Sequence, residues 1–394
     1  MSGQEPVRFV PTLPSLIPTK VVNAAPRYVP FPLSQRSFRY TFSGTAAIAQ
    51  GLAAMALRPG SKVLCPSYHC GHEIEPFIRA QFQVELYRVQ RDLQIDLQDI
   101  RDRLKPEVRA LLVTHYFGFA QRQLRELYEL CRQNGTLLVE DCAHALLSDN
   151  PEGNLGRMGD VAIFSFRKTL PVPHGGGFLV NNAELRPPPP PRRPPKLSTL
   201  TKAVDLYKKA LLQNAGCNHS FLERSGLLLY LPLLQCAAIC WRLGIPSRQA
   251  WYDPDDEGLE FDNDILWWGM ANFCRRLLPG LISPTVKVAR CRNWQYLEAK
   301  LAEQSRFVPA IRSLLDSTCP LVFPVLVDDR DYWVKRLQAE KIFAAPWWNV
   351  GYPKVNWQPF EEARYLNTHM IALPVHQDLS ESGLERMANF LLHA

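Results

Sequence analysis

The 394-residue sequence holds no CxxC pair, although it has ten cysteines, at 65, 70, 131, 142, 217, 236, 240, 274, 291 and 319. Scattered thiols offer neither a zinc-ribbon spacing nor a disulfide framework, and they suit a reduced, cytoplasmic setting. No apolar run is long enough to cross a bilayer. The longest, Leu227 to Trp241, is about 15 residues and contains Pro232, against the roughly 20 that a spanning helix needs. A segment buried against the rest of the protein is the favoured reading, with a peripheral membrane contact or a subunit interface as the others. The opening MSGQEPVRFVPTLPSLIPTK lacks the basic-then-apolar order of a signal peptide, so secretion is not expected. A large charge excess is missing too: 45 Lys and Arg against 38 Asp and Glu leave +7, with the basic residues dispersed. No zinc-finger, KH or RRM signature accompanies them, so nucleic-acid binding is not expected, whereas a small anionic ligand is compatible.

What is present is ordinary globular material, 46% hydrophobic and 21% charged, enough for two to three domain equivalents. From Tyr40 to about Asn182, helical and strand-like segments alternate, the order that builds a parallel sheet with helices on its faces. Gly44 to Leu57 reads as a helix ended by Arg58-Pro-Gly60, and Lys62 to Cys65 as a strand. Val84 to Val89, Arg109 to Thr114, Leu137 to Glu140 and Val161 to Phe166 read as further strands. Asp96 to Leu104 and Arg122 to Asn134 read as helices, the second closed by Gly135.

Proline is the abundant residue, at 33. Pro187 to Pro191 and the following Arg192-Arg-Pro-Pro195 predict an extended, exposed connector, because proline lacks the N–H and clashes with a preceding helical turn. Beyond about Trp267 the pattern is helix-rich, with a strand at Leu321 to Val327 and a helix at Arg330 to Lys341. The expected division is an N-terminal extended segment (1–39), a large domain (40–186), a proline-rich linker with a helical insertion (187–264) and a smaller α+β C-terminal domain (265–394).

Three features carry chemistry. Ser43-Gly44-Thr45 stands at a helix start, where free N–H groups and the helix dipole suit a phosphate, although a serine there can simply be an N-cap. Asp141 ends an apolar strand at the edge where α/β sheets hold ligands, and it could alternatively cap the next helix. Lys168 follows the strand ending in Ser165-Phe166 and precedes the glycine run Gly175-Gly-Gly177. A phosphate-type helix start, then a strand-end Asp, then a Lys about 27 positions later is the set that pyridoxal phosphate (PLP) requires. A lysine amine takes the aldehyde, and a carboxylate keeps the pyridine nitrogen protonated as an electron sink.

The motifs Ser43-Gly-Thr45, Pro66-Ser-Tyr68, His115-Tyr-Phe-Gly118, Glu140-Asp-Cys-Ala-His144, Gly159-Asp160, Ser165-Phe166, Lys168 and Gly175-Gly176 together resemble the DegT/DnrJ/EryC1/StrS family. The resemblance runs from about Tyr40 to Asn182, with a weaker tail after Arg290 that includes Leu373-Pro-Val-His376. It implies a fold-type I PLP-dependent enzyme, with a large domain built on a mostly parallel central sheet flanked by helices and a smaller α+β domain.

By resemblance, Lys168 forms the Schiff base, Asp141 pairs with the pyridine nitrogen, Gly44, Thr45 and Ser165 hold the phosphate, and His144 lies near the ring substituents. The ring-stacking residue is His69 or Tyr68. The implied partners are a small-molecule amino donor such as glutamate, a keto acceptor such as a nucleotide-linked keto-sugar, and a second copy in a homodimer. No metal is expected. His115 and His376 are either site or packing residues, and Trp347, Trp348 and Asn349 either line a substrate pocket or pack. His174 stands where the family often has an acid, and the family's Asn-Tyr-Arg motif is not found. The rival readings are a regulatory PLP-binding protein and a PLP enzyme of decarboxylation or acyl condensation.

Overall fold

The computed structural model describes residues 10, 11, 14, 29–196, 198–200, 202–203, 206, 263–348 and 352–394. The apolar run Leu227 to Trp241, most of the expected insertion and Asn349 lie outside the described residues. In chain order the first part comprises β1 (Phe38–Thr41), α1 (Gly44–Ala54), β2 (Lys62–Pro66), α2 (Glu75–Arg79), β3 (Gln83–Tyr87), α3 (Leu97–Arg103) and β4 (Val108–Thr114). It continues with α4 (Leu124–Asn134), β5 (Leu137–Asp141), the short pair β6 (Asp149–Asn150) and β7 (Gly153–Asn154), β8 (Val161–Ser165), the single turn α5 (Phe166–Thr169) and β9 (Gly176–Val180).

Local chemistry sets these elements. Ser43 caps α1, its hydroxyl accepting from Ala46 N–H. The helix buries Ala46, Ala47, Ile48, Leu52 and Ala54 against the sheet, and Gly51 lets it close on Val161 and Ile163, which a Cβ would meet at 3.0 and 3.1 Å. Asp96 caps α3 through Asp99 N–H. Helix α4 buries Leu124, Leu127 and Cys131, one face at helical spacing, and Gly135 ends it in the left-handed conformation at φ 66°.

Seven strands form the central sheet in the order β1-β9-β8-β5-β4-β2-β3. The block β3-β2-β4-β5-β8 is parallel, while β8 with β9 and β9 with β1 are antiparallel. The sheet is therefore mostly parallel and flanked by helices, as expected. Strands β5 and β8 are almost wholly buried, which is why they read as continuous apolar runs rather than alternating ones. The two antiparallel strands are not legible as strands: Gly176-Gly177 opens β9, and glycine is depleted in strands. Here it admits close neighbours, since a Cβ at Gly177 would lie 2.1 Å from the Phe38 ring.

The remainder comprises α6 (Asn272–Leu281), α7 (Pro284–Leu301), β10 (Val308–Pro309), β11 (Val322–Leu326), α8 (Arg330–Ala339), β12 (Ala345–Pro346), α9 (Glu361–His369), β13 (Met370–Pro374) and α10 (Glu381–His393). Its four strands form an antiparallel sheet in the order β10-β11-β13-β12, an α+β arrangement. Trp294 of α7 ties the two parts, its ring 5.0 Å from Phe119 and 4.5 Å from Phe323. Val10 is buried and exchanges hydrogen bonds with Lys341 and Phe343, so this point of the N-terminal segment is docked beside the second sheet. The proline connector is non-helical but partly covered: Arg192 forms a bridge with Trp268, and its carbonyl accepts from Gly269 N–H at 2.7 Å. Among the described residues, no helix is long and apolar enough to cross a membrane.

Candidate active site

The site begins where three strand ends meet. Ser165 of β8 lies in register with Gly176 of β9, which lies in register with Thr41 of β1, and α1 starts three residues beyond Thr41. The cap consumes the Ala46 and Ala47 amides, through the Ser43 hydroxyl and carbonyl. No partner is found among the described residues for the Gly44 and Thr45 amides, the usual state of a helix's first N–H groups. Ser165 closes the cradle: a Cβ on Gly44 would lie 3.3 Å from the Ser165 Cβ and 3.6 Å from its Oγ. Gly176 makes the approach feasible, since a Cβ there would lie 2.4 Å from the Ser43 carbonyl oxygen. Free amides, a hydroxyl and a helix N-terminus converge on a space suited to a phosphate.

Lys168 stands on α5, directly after β8, and its Nζ lies 2.7 Å from His144 Nε2. The opposite nitrogen, Nδ1, accepts the Phe117 N–H at 3.3 Å. A backbone N–H can only donate, so the neutral ring carries its proton on Nε2, facing the lysine, and because an ammonium has no acceptor this contact is a hydrogen bond only to the uncharged amine. Burial first, and the lysine charge second, keep His144 well below the ordinary histidine pKa and therefore neutral.

Asp141 ends β5. One carboxylate oxygen accepts Ala143 N–H at 2.9 Å, and the backbone carbonyl takes His115 N–H. Turns follow β5, so Asp141 caps no described helix. Burial pushes its pKa up to about 6, while Lys168 pulls the other way. A buried carboxylate facing a cation, with desolvation only partly compensated, is a group awaiting a partner.

Around the amine lies an aromatic wall. The Phe117 ring stacks parallel to His144 at 5.6 Å, Trp347 stands edge-on to His144 at 5.5 Å, and Lys168 Nζ lies 6.0 Å from the Trp347 ring. Tyr68 is committed: its hydroxyl donates to the Trp347 carbonyl, its own carbonyl accepts from Tyr116 at 2.6 Å, and its ring packs on Trp348. His69 is also buried, but both of its ring nitrogens lack partners among the described residues, and burial lowers its pKa to about 4. Of the two candidates for stacking, His69 is the ring without commitments. Behind it, Glu73 accepts from the Cys70 N–H at 3.1 Å and from the Cys70 thiol at 2.7 Å.

Comparison with known proteins bears on the same stretch. Residues 40–187 match the DegT/DnrJ/EryC1/StrS aminotransferase family. The match takes in under two fifths of the chain. Over 145 residues it is 25% identical to GDP-perosamine synthase of Vibrio cholerae, covering 36% of this chain and 39% of that protein. Over 146 residues it is 30% identical to the dTDP-4-dehydro-2,3,6-trideoxy-D-glucose 4-aminotransferase of Saccharopolyspora spinosa, covering 36% of this chain and 38% of that one. The aligned part thus spans about two fifths of these relatives. A Streptococcus pneumoniae structure in PLP-form shares the fold over 98% of both chains, with a TM-score of 0.66 at 15% identity. The chain has the fold-type I architecture beyond the matched segment as well.

Within the matched segment, His115, Glu140 and Cys142 bring three potential metal ligands together. Glu140 is already saturated. It takes His115 Nε2 at 3.1 Å and the Gly156 amide on one oxygen, and the Met158 and Gly159 amides on the other. Burial raises its pKa, but these donors outweigh that and leave it below the ordinary value. His115 Nδ1 accepts Gln121 N–H, so His115 is a satisfied core residue bracing the strand beside Asp141. His174 is likewise internal, stacked on Phe42 at 4.4 Å and bonded to Thr199. His376 holds the N-terminal segment through the Pro11 carbonyl at 3.0 Å.

The residues fit PLP on grounds internal to this chain: an amide-lined cradle that side chains at 44 and 176 would fill, an under-compensated buried carboxylate, an amine and an uncommitted buried ring. Sequence reasoning assigned no role to Glu73, Arg290 or Gln377. Glu73 carries no sequence signal, being one acid in a turn. Arg290 does carry one, because it occupies the buried stripe Val286, Arg290, Trp294, Leu297, Leu301 of α7, where helical spacing calls for an apolar residue.

Proposed function

We propose that the protein is a PLP-dependent aminotransferase that moves an amino group from a donor such as glutamate to the keto group of a small acceptor, a nucleotide-linked keto-sugar. The observation that carries this reading is the meeting of Lys168, Asp141 and the Gly44–Thr45–Ser165 cradle at adjacent strand ends, within a segment that matches an aminotransferase family. The sugar acceptor is supported by the two relatives named for such chemistry. A homodimer and a cytoplasmic location belong to the same reading. The second is supported by seven described cysteines that are all unpaired.

When bound, PLP supplies a carbonyl for amine capture and an electron-withdrawing ring. Lys168 would be the amine, oriented by His144 Nε2–H, a donor that could also hold an oxygen substituent of the ring. Asp141 would hold a proton on the pyridine nitrogen, its own desolvation offset by the positive charge placed there. The Gly44 and Thr45 amides and the Ser165 hydroxyl hold the phosphate dianion. His69 covers one ring face. As a free amine, Lys168 would serve as the base that takes the proton from the donor's α-carbon onto its Nζ.

The test is the visible absorption of purified protein with PLP, before and after excess glutamate, with Lys168→Ala alongside. A yellow band that requires Lys168 and bleaches with glutamate is expected, and it justifies screening nucleotide keto-sugars. A band indifferent to every amino donor points to a regulatory PLP protein, and release of carbon dioxide instead of a keto acid points to another PLP reaction. A borohydride-fixed adduct in Lys168→Ala at the wild-type level would overturn the lysine assignment.

A further inference from the structure

Arg290 is fully buried in α7, and burial lowers its pKa from the ordinary guanidinium value. A buried charge is costly, and a packed apolar side chain there is ordinarily the cheaper solution. Its hydrogen bonds all run to uncharged acceptors: Nε to Gln377 Oε1 at 2.9 Å, Nη1 to the Pro320 and Leu321 carbonyls at 3.1 and 2.8 Å, and Nη2 to the Thr169 carbonyl at 3.1 Å. Gln377 Nε2 donates to the same Thr169 carbonyl at 3.1 Å. Two side chains from beyond the matched segment therefore grip the carbonyl of the residue that follows Lys168.

The other acceptor leads back to the same lysine. Leu321 N–H donates to the Phe117 carbonyl at 2.8 Å, Phe117 N–H donates to His144 Nδ1, and His144 Nε2 meets Lys168 Nζ. From Lys168 one residue of backbone returns to the Thr169 carbonyl and to Arg290. The bonds close a ring that contains the amine. The turn that makes it feasible is built for the purpose: Phe117 sits at φ 54°, and Gly118 at φ 99° leaves room for the Cys319 carbonyl, which a Cβ would meet at 2.2 Å.

We propose that Arg290, with Gln377, is a positioning residue for Lys168. It fixes the lysine's backbone through Thr169 and its amine through Leu321, Phe117 and His144. This rests on Lys168 being the reactive amine. A long, flexible side chain held at both ends presents its nitrogen in one place, the condition that an aldehyde-capturing site requires. The titratable groups facing Lys168 are His144, Asp141 at the end of β5, and Cys70 with Glu73 behind it.

Gln377→Glu and Arg290→Lys, made in the full-length chain, test this. The first keeps an acceptor for Arg290 Nε but removes the donor to Thr169, and the second keeps the charge but loses the fork. Three readouts are compared with wild type: thermal unfolding, the rate and pH profile of Lys168 acetylation by acetic anhydride in cofactor-free protein, mapped by peptide mass, and the rate at which glutamate bleaches the PLP band. The expected result is an unfolding temperature near wild type for Gln377→Glu, an acetylation rate changed at least threefold with a displaced pH midpoint, and bleaching slowed tenfold or more. Arg290→Lys should move the two reactivity readouts further. If Arg290→Lys does not fold, Gln377→Glu decides alone. A folded Gln377→Glu with wild-type acetylation and bleaching would show that the ring is only structural. Absence of a PLP band in wild type defeats the proposed function, while the acetylation profile still reads the positioning on its own.

Discussion

At the residue scale, the groups proposed for the site are legible because each has chemistry that a bland role leaves unexplained. Lys168, Asp141, Gly44, Thr45, Ser165 and His144 come together in space as their order in the chain suggests. What sequence could not supply is the state of each group, since burial depends on neighbours far along the chain. Asp141 shows the difference. Its folded pKa of about 6 lies above the ordinary 3.8 because burial penalises the charge. The site's contribution to stability is therefore fully present below about pH 3.8 and is lost as the pH rises through 6. Asp141→Asn should accordingly stabilise the cofactor-free protein above pH 6, by up to about 3 kcal/mol, because each tenfold change in proton affinity is worth roughly 1.4 kcal/mol, and the gain should vanish near pH 4. The same variant should turn over far more slowly with PLP. Urea unfolding from pH 4 to 8 checks this, and an unchanged or lowered midpoint at pH 8 refutes it.

At the element scale, helices and parallel strands follow from apolar spacing and caps, as at Asp96 before α3 and Gly135 after α4. The strands that sequence hid are those whose residues serve contact rather than propensity. Gly176 weakens β9 as a strand yet lets it pass against the start of α1, where the Ser43 carbonyl and the Gly44 amide would stand 2.4 and 2.7 Å from a Cβ. Both are backbone, so neither can swing aside. Gly176→Ala should therefore push α1 away from Ser165, with a stability loss of about 1–3 kcal/mol, as for other overpacking changes. PLP affinity should fall tenfold or more through the opened cradle. Spectrophotometric titration with PLP beside an unfolding curve checks both, and wild-type affinity in the folded variant would mean the cradle is not the phosphate site. The Arg290 ring escapes sequence reading for the complementary reason. Its members are spread from Phe117 to Gln377, and only the one misplaced charge in an apolar stripe hints at it.

At the scale of the whole molecule, the buried site imposes a pH dependence that composition does not reveal. His69 and His174 are held at about 4 and about 3, and His144 well below the ordinary 6.5, in each case chiefly by burial. A histidine with a lowered folded pKa contributes stability above its unfolded value, and that stability is lost as the pH falls through 6.5 toward the folded value. Near pH 5 the unfolded chain binds a proton on each of these residues that the fold disfavours, while Asp141 takes one in the opposite sense. The net uptake is two protons, a slope of about 3 kcal/mol per pH unit. Against the usual stability of roughly 5–15 kcal/mol, that slope is steep enough to unfold the cofactor-free protein within a few units of acidification. Calorimetric unfolding at pH 5 in buffers of differing ionisation enthalpy should register an uptake of about two protons. His174→Gln, which can keep a hydrogen bond to Thr199 without a titratable ring, should halve it. A net release of about one proton, the Asp141 share alone, would mean that the three histidines are charged in the fold, and the neutral His144 that donates its Nε2–H to Lys168 would have to be abandoned with them.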